Sequence, residues 1–104
     1  MFGFGIKTIT VGQLAERLKA GKPVLLDVRE PSEFASGHVP GSRNVPLGRL
    51  AAESSRLDPN AETLIICQSG HRSATAAKQL KRAGFTDVHS VKDGTGAWRG
   101  KLRR

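Results

Sequence analysis

Short apolar segments alternate with helical patterns along the sequence, and this alternation restricts the fold more than any other feature. The segment 24–28 is nearly continuously apolar, as expected of a strand buried on both faces of a sheet. Further strand-like segments are 6–10, 44–45, 63–66 and 88–91, and helical patterns are 11–20, 31–36, 46–55 and 73–83. Strands that alternate with helices predict a parallel sheet covered on both faces. We therefore expect an α/β fold with a parallel sheet of about four or five strands flanked by helices.

The length of the chain, 104 residues, is enough for one compact domain and not two. We expect a single domain over 1–104, with its core at about 9–98 and a basic tail at 99–104. The net charge is +8, from 17 Lys and Arg against 9 Asp and Glu, and four of the cations lie in the tail. Because no aromatic side chains alternate with these cations, we expect a solvated end and no nucleic-acid partner. The remaining positive charge favours small anionic substrates.

The single cysteine cannot form an internal disulfide, which favours a reducing compartment. The first residues lack the basic segment and apolar run of a signal peptide. No segment approaches the roughly 20 apolar residues that a membrane span needs. We therefore expect a cytoplasmic protein with no membrane segment in this chain.

Cys67 stands where a strand ends and a helix is about to begin. A thiol in that position faces unpaired backbone N–H groups and the positive end of the helix dipole. Both favour the thiolate, which is the nucleophilic form. The alternative interpretation is a small buried apolar side chain, the usual role of a lone cysteine.

The spacing between Cys67 and Arg72 separates two kinds of cysteine chemistry. Cysteine phosphatases and arsenate reductases carry a cysteine, five residues and then an arginine, whereas only four residues intervene here. A shorter ring of backbone donors suits a sulfur atom better than a tetrahedral oxyanion. The spacing therefore argues against a phosphatase without deciding the matter.

The segment 67–73, Cys-Gln-Ser-Gly-His-Arg-Ser, resembles the active loop of single-domain rhodaneses. Three more segments are similar to rhodanese signatures and occur in the same order: 26–34 and 37–46 before the loop, and 83–98, which includes Ala-Gly-Phe and Gly-Thr-Gly-Ala-Trp, after it. The resemblance covers about 9–98. One departure is Asp93, which stands where many members have a glycine and bears on the shape of the pocket rim.

This resemblance implies a sulfurtransferase of the thiosulfate sulfurtransferase type. Sulfane sulfur would pass from thiosulfate or a similar anionic donor to Cys67, and the persulfide would then deliver it to cyanide or to a thiol, including a protein thiol. The backbone N–H groups around the sulfur would replace a metal or an organic cofactor, so we expect neither. The cradle for the persulfide would consist of Gln68, Ser69, Gly70, His71, Arg72 and Ser73.

Within this cradle the residues have different expected roles. Gly70 is expected to be the backbone hinge, because inward-pointing N–H groups require unusual dihedral angles. Arg72 either attracts the anionic donor or braces the loop through Asp27 or Glu33. His71 is expected at the rim, because persulfide transfer needs no general base once the thiolate exists. Asp27 and Arg29 are expected beside the loop, Asp27 in a buried ion pair or a hydrogen bond, and Arg29 as a possible substrate ligand.

Two other aspects of the sequence complete the expectations. The spacings of Cys67 with His38, His71 and His89 match no zinc pattern, so His38 is expected to pack under the loop after 31–36, and Trp98 is expected in the core. Two alternative functions stay open. One is a persulfide relay that docks a partner protein and has little small-molecule turnover, and the other is a cysteine-dependent phosphatase or arsenate reductase.

Overall fold

A computed structural model describes residues 6–104 as an α/β domain built on one sheet. Within this range the five strands are β1 (Lys7–Ile9), β2 (Val24–Asp27), β3 (Arg43–Asn44), β4 (Thr63–Ile66) and β5 (Val88–Val91). All neighbouring strands are parallel, and their order is β1-β5-β4-β2-β3. The expected parallel sheet flanked by helices is therefore confirmed.

Four α-helices connect these strands: α1 (Val11–Ala20), α2 (Pro31–Ser36), α3 (Leu50–Glu53) and α4 (His71–Arg82). The first helix begins with the expected capping box, in which Thr10 and Gln13 satisfy each other's backbone N–H groups. The Asp93 carboxylate accepts a further hydrogen bond, 2.9 Å long, from the Val11 N–H. None of the helices in the described residues is both long and apolar enough to cross a bilayer.

Apolar side chains pack on both faces of the sheet, as a buried parallel sheet requires. On one face, Leu26 and Ile65 pack with Ala76 and Leu80 of α4. The other face holds the neighbouring strand residues with α1, in a cluster of Ile9, Leu14, Leu25, Val39, Leu64, Ile66 and Val91. Each fully buried Leu, Ile or Val stabilises the fold by roughly 1.5–3 kcal/mol relative to its exposed state. The packing of these two layers holds the carboxyl ends of β2 and β4 next to each other.

Two expected helices differ from the structure. The pattern at 46–55 forms only one turn of α-helix, α3, between two 3₁₀ turns, Leu47–Arg49 and Ser54–Arg56. Ser54 and Ser55 turn their hydroxyls back onto the carbonyls three residues earlier, which competes with a continued helix. The other difference is at α4, which begins at His71 rather than Ser73 because the left-handed Gly70, with φ of 100°, turns the chain directly before it.

The expected core position of Trp98 needs correction, and the tail, although exposed to solvent as expected, is also bonded to the domain through its backbone. The tail side chains are exposed, but Arg103 exchanges two backbone hydrogen bonds of 2.8 Å with His38, so the end of the chain lies against the domain. Gly37 makes room for this return, since a Cβ there would lie 3.1 Å from the Leu102 side chain. Trp98 is only half-buried and packs on the outside of the α1 cluster.

Candidate active site

Cys67 directly follows β4, at the edge of the sheet where β2 also ends. Its side chain is 1% exposed and belongs to the core cluster on the α4 side. The sulfur nevertheless has polar surroundings: Sγ accepts hydrogen bonds from the N–H of Gly70 at 3.1 Å and of Ser73 at 3.3 Å. The Ser73 hydroxyl lies 3.6 Å from Sγ. The cysteine is thus buried against the core on one side and surrounded by donors on the other.

These donors determine the ionisation of the thiol. Burial by itself raises the pKa of Cys67, because it disfavours the charged form. The N–H and hydroxyl of Ser73, and the N–H groups of Ser69 and Gly70, outweigh that effect and hold the pKa of Cys67 below its ordinary value. The sulfur also lies near the amino end of the twelve-residue helix α4, whose dipole favours an anion. The site therefore favours a thiolate.

The curled shape of the loop depends on Gly70. Its φ of 100° is in the left-handed region, and a Cβ there would lie 2.2 Å from the carbonyl oxygen of Lys92. Such a contact is not possible without moving backbone. Gly70 is thus the hinge that aims two N–H groups at the sulfur, in agreement with the expected conformation of this residue.

A second segment, 94–96, holds the other side of the loop. The Thr95 N–H donates to the Cys67 carbonyl at 2.8 Å, and the Gly96 N–H donates to the Gln68 carbonyl at 3.2 Å. Gly94 approaches so closely that a Cβ would lie 2.2 Å from the Gln68 oxygen. The sequence predicts only that Asp93, directly before this segment, bears on the shape of the pocket rim. It does not predict these hydrogen bonds, although the Gly-Thr-Gly pattern is typical of close backbone approach.

Arg72 braces the loop against α2. Its guanidinium makes two hydrogen bonds to the Glu33 carboxylate, of 2.7 and 3.0 Å. The Arg72 hydrogen bond, with the N–H of Glu30 and against some desolvation, lowers the pKa of Glu33 to about 2. This geometry favours the bracing role over direct anion binding, because the fork of the guanidinium is already occupied.

Asp27 and Arg29 form a buried ion pair beside the loop. The Arg29 side chain donates to both Asp27 oxygens at 2.8 to 3.1 Å, and the Arg29 N–H donates to Oδ1 at 3.0 Å. The remaining N–H groups of the Arg29 guanidinium donate to the Gly37 carbonyl at 2.8 Å and to the Gln68 side chain at 3.4 Å. Asn44, which sequence reasoning did not select, donates to the carbonyls of both members of the pair. This arrangement supports the loop and leaves little of Arg29 for substrate.

The histidines lie outside the ring around the sulfur. His71 is exposed at the first position of α4, which is the expected rim. His38 stacks on Phe34, with ring centroids 3.6 Å apart, and its Nδ1 lies 2.8 Å from the Phe34 carbonyl. In residues 6–104 no three His, Cys, Asp or Glu side chains converge on a possible metal position. The chemistry available here is that of a thiolate surrounded by backbone donors.

Comparison with known proteins agrees with this geometry. The family model described as "Rhodanese-like domain" matches residues 10–101. The thiosulfate sulfurtransferase GlpE of Pseudomonas putida is 38% identical over 93 residues, which are 89% of this chain and 84% of that protein. The putative sulfur carrier protein YrkF of Bacillus subtilis is 43% identical over 77 residues, 74% of this chain and 42% of that protein. The crystal structure of a rhodanese-like domain protein from Staphylococcus aureus is 31% identical and superposes with a TM-score of 0.86, covering 94% of this chain and 97% of that one. The chain therefore belongs to the rhodanese-like domain family.

Proposed function

We propose that the chain is a sulfurtransferase that carries sulfane sulfur from thiosulfate, or a similar anionic donor, to cyanide or a thiol through a persulfide on Cys67. The observation that carries this proposal is the position of Sγ, which receives N–H groups from Gly70 and Ser73 at 3.1 and 3.3 Å. A ring of this kind stabilises a negative sulfur without a metal or an organic cofactor.

In the first step the Cys67 thiolate attacks the outer sulfur of thiosulfate. The Sγ–S bond forms, the S–S bond of thiosulfate breaks, and sulfite leaves with the electron pair of that bond. The outer sulfur of the resulting persulfide carries the negative charge that the thiolate had. The loop N–H groups then stabilise this charge in the place of solvent.

In the second step a nucleophilic acceptor attacks the outer sulfur. The bond from that sulfur to Cys67 breaks, the thiolate is restored, and the acceptor leaves as thiocyanate or as a new persulfide. These 104 residues contain no second cysteine, so the sulfur leaves to an acceptor outside them. A single free thiol, with no disulfide partner in these residues, also favours the cytoplasm as the compartment.

The names of two relatives support two different functions that use the same persulfide chemistry. GlpE of Pseudomonas putida is named a thiosulfate sulfurtransferase, which supports thiosulfate as the donor. YrkF of Bacillus subtilis is named a putative sulfur carrier protein, which supports the relay as the second candidate function. The phosphatase alternative has less support, because only four residues separate Cys67 from Arg72.

Steady-state kinetics with thiosulfate and cyanide test this proposal. Because the enzyme alternates between thiolate and persulfide, double-reciprocal plots at several cyanide concentrations should be parallel. The Cys67→Ser variant should fold normally and form no thiocyanate. Stable sulfur loading with negligible turnover would favour the relay, whereas hydrolysis of an aryl phosphate that is lost in Cys67→Ser would contradict the proposal.

A further inference from the structure

An open groove of about 530 Å³ lies beside α1, on the face of the sheet opposite α4. We name it the α1 groove, and its apolar lining consists of Val11, Ala15, Leu18, Pro40 and Trp98. Its volume is within the range of roughly 300–1,000 Å³ that is common for small-molecule sites. None of residues 67–73 lines it, so the α1 groove is a place separate from the cysteine loop.

The apolar face of α1 is wider than the part that the sheet covers. Val11, Leu14, Ala15 and Leu18 recur at the spacing of one helical face. Leu14 is fully buried, whereas the other three are only half-buried. Val11 and Leu18 are about two turns apart, so the uncovered apolar wall is roughly 10 Å long. An apolar surface that the fold leaves open in a concave place is typical of a ligand-binding groove.

Trp98 forms another wall of the groove and is held in place from its polar edge. Its Nε1 donates to the Lys101 carbonyl at 3.3 Å, so the indole N–H needs no partner in the groove. Gly100 lets the chain turn closely around the ring, since a Cβ there would lie 2.9 Å from Nε1. The Trp98 backbone N–H donates to the Thr95 carbonyl at 3.1 Å. The groove is therefore formed before a ligand binds, which lowers the cost of binding.

The charged side chains that line the groove are both positive. Lys19 and Arg99 are exposed, which places their charges at its open side. Arg99 takes part in no ion pair within residues 6–104, and Lys19 has only Glu16 at 3.7 Å, in a pair about three-quarters exposed. The Asp93 carboxylate, beside this helix, is occupied by the N–H of Val11. The cations thus favour an anionic group that stays at the mouth, because burying it among the apolar side chains would be costly.

We propose that the α1 groove binds an aliphatic carboxylate, with the hydrocarbon chain among the apolar residues and the carboxylate at Lys19 and Arg99. Four of the five apolar lining residues are aliphatic, and the charges at the mouth are opposite to that of the ligand. The chain supplies affinity by removing apolar surface from water, and the carboxylate orients the ligand. Binding is non-covalent and does not depend on sulfur transfer.

Trp98 reports on the groove directly, because the chain contains no other tryptophan and no tyrosine. Its fluorescence is titrated with octanoate, below the concentration at which octanoate forms micelles, and with octanamide, which has the same carbon chain and no charge. Acetate serves as a carboxylate without a long chain. The titrations are repeated with Lys19→Gln/Arg99→Gln and with a control, Lys81→Gln/Arg82→Gln, which loses one exposed lysine and one exposed arginine from the last turn of α4.

Octanoate should change the Trp98 fluorescence saturably, whereas acetate at the same concentrations should not. The groove variant should bind octanoate about two- to thirtyfold more weakly, which is the range expected for the loss of two exposed ion pairs. Its affinity for octanamide should stay that of the wild type. The control variant should keep the wild-type dissociation constants for both ligands.

Several results would overturn the proposal: no saturable change with octanoate, equal wild-type affinities for octanoate and octanamide, or equal weakening of octanoate binding in both variants. A response of Trp98 only to phosphatidylglycerol vesicles would also overturn it and indicate a membrane surface. A response only to rising protein concentration would overturn it and indicate self-association through this face. The titrations use reduced protein without a sulfur donor, so their outcome is independent of the proposed function.

Discussion

The substitution Gly70→Ala should damage the persulfide cradle more than it damages the fold. The left-handed conformation costs an L residue about 1–2 kcal/mol. In addition, the new Cβ would lie 2.2 Å from the Lys92 carbonyl oxygen, so one of the two backbone segments must move. Movement at Gly70 carries away the N–H that lies 3.1 Å from Cys67 Sγ.

The size of the effect follows from that lost donor. In the persulfide the negative charge lies on the outer sulfur, and a hydrogen bond from the loop to a charged group is worth about 1.5–3 kcal/mol, so loss of the Gly70 donor should weaken persulfide formation from the neutral thiol about ten- to hundredfold. The pKa of the Cys67 thiol should rise at the same time, because one of the groups that lower it is gone.

Gly84→Ala is the matched control. Gly84 has φ of 99°, nearly the same as Gly70, but nothing lies within 4 Å of the Cβ that would be added. This variant should lose about 1–2 kcal/mol of stability from the backbone conformation alone. Its cysteine chemistry should be that of the wild type.

The assay is the equilibrium between the neutral thiol and the persulfide, at one fixed pH below the pKa of the Cys67 thiol. The fraction of loaded protein is measured by intact mass at a series of thiosulfate-to-sulfite ratios, after urea unfolding has shown that both variants are folded. The half-loading ratio should rise at least tenfold in Gly70→Ala and stay unchanged in Gly84→Ala. A folded Gly70→Ala protein with the wild-type half-loading ratio would refute the reasoning.

Three further predictions concern the groups around the loop. Asp27→Asn leaves Arg29 buried without its counter-ion and should cost about 3–5 kcal/mol in urea unfolding, and a loss below 1 kcal/mol would contradict the buried pair. Glu33 has a pKa of about 2 in the folded chain against an ordinary 4.5, so its contribution to stability should disappear as the pH falls from 4.5 towards 2. Because the pair with Arg72 is about one-third exposed, that contribution is at most about 1 kcal/mol. Urea unfolding at pH 6 and pH 3 should show this pH-dependent contribution in the wild type and not in Glu33→Gln. Arg72→Ala and Glu33→Gln should raise the thiosulfate KM to a similar degree if Arg72 is a brace, and a much larger rise for Arg72→Ala alone would show direct anion binding.

The sheet and the position of the cysteine could be predicted because they depend on local patterns. The apolar runs of β2 and β4 are typical of buried parallel strands, and parallel neighbours must end at one edge. These two patterns therefore predict that Asp27 and Cys67 lie near each other. The sequence also predicts an unusual backbone conformation at Gly70. It does not predict that α4 begins two residues earlier, at His71, because of that conformation.

The contacts that could not be predicted are those between segments far apart in the chain. The hold of Gly94 and Thr95 on the loop joins residues more than 25 positions away, and no local pattern specifies the partner. The same holds for the bridge from His38 to Arg103, which brings the basic tail back to the domain. Amphipathic and turn patterns predict which elements form, whereas these contacts appear only after the elements have packed.

The most direct test of the central claim is the mass of the reduced protein after incubation with thiosulfate and again after addition of cyanide. If Cys67 carries the transferred sulfur, the protein should gain one sulfur atom and discharge it completely as an equal amount of thiocyanate, and Cys67→Ser should gain none. A wild-type protein that gains no sulfur, or a Cys67→Ser variant that gains it equally, would contradict the claim that Cys67 carries the transferred sulfur.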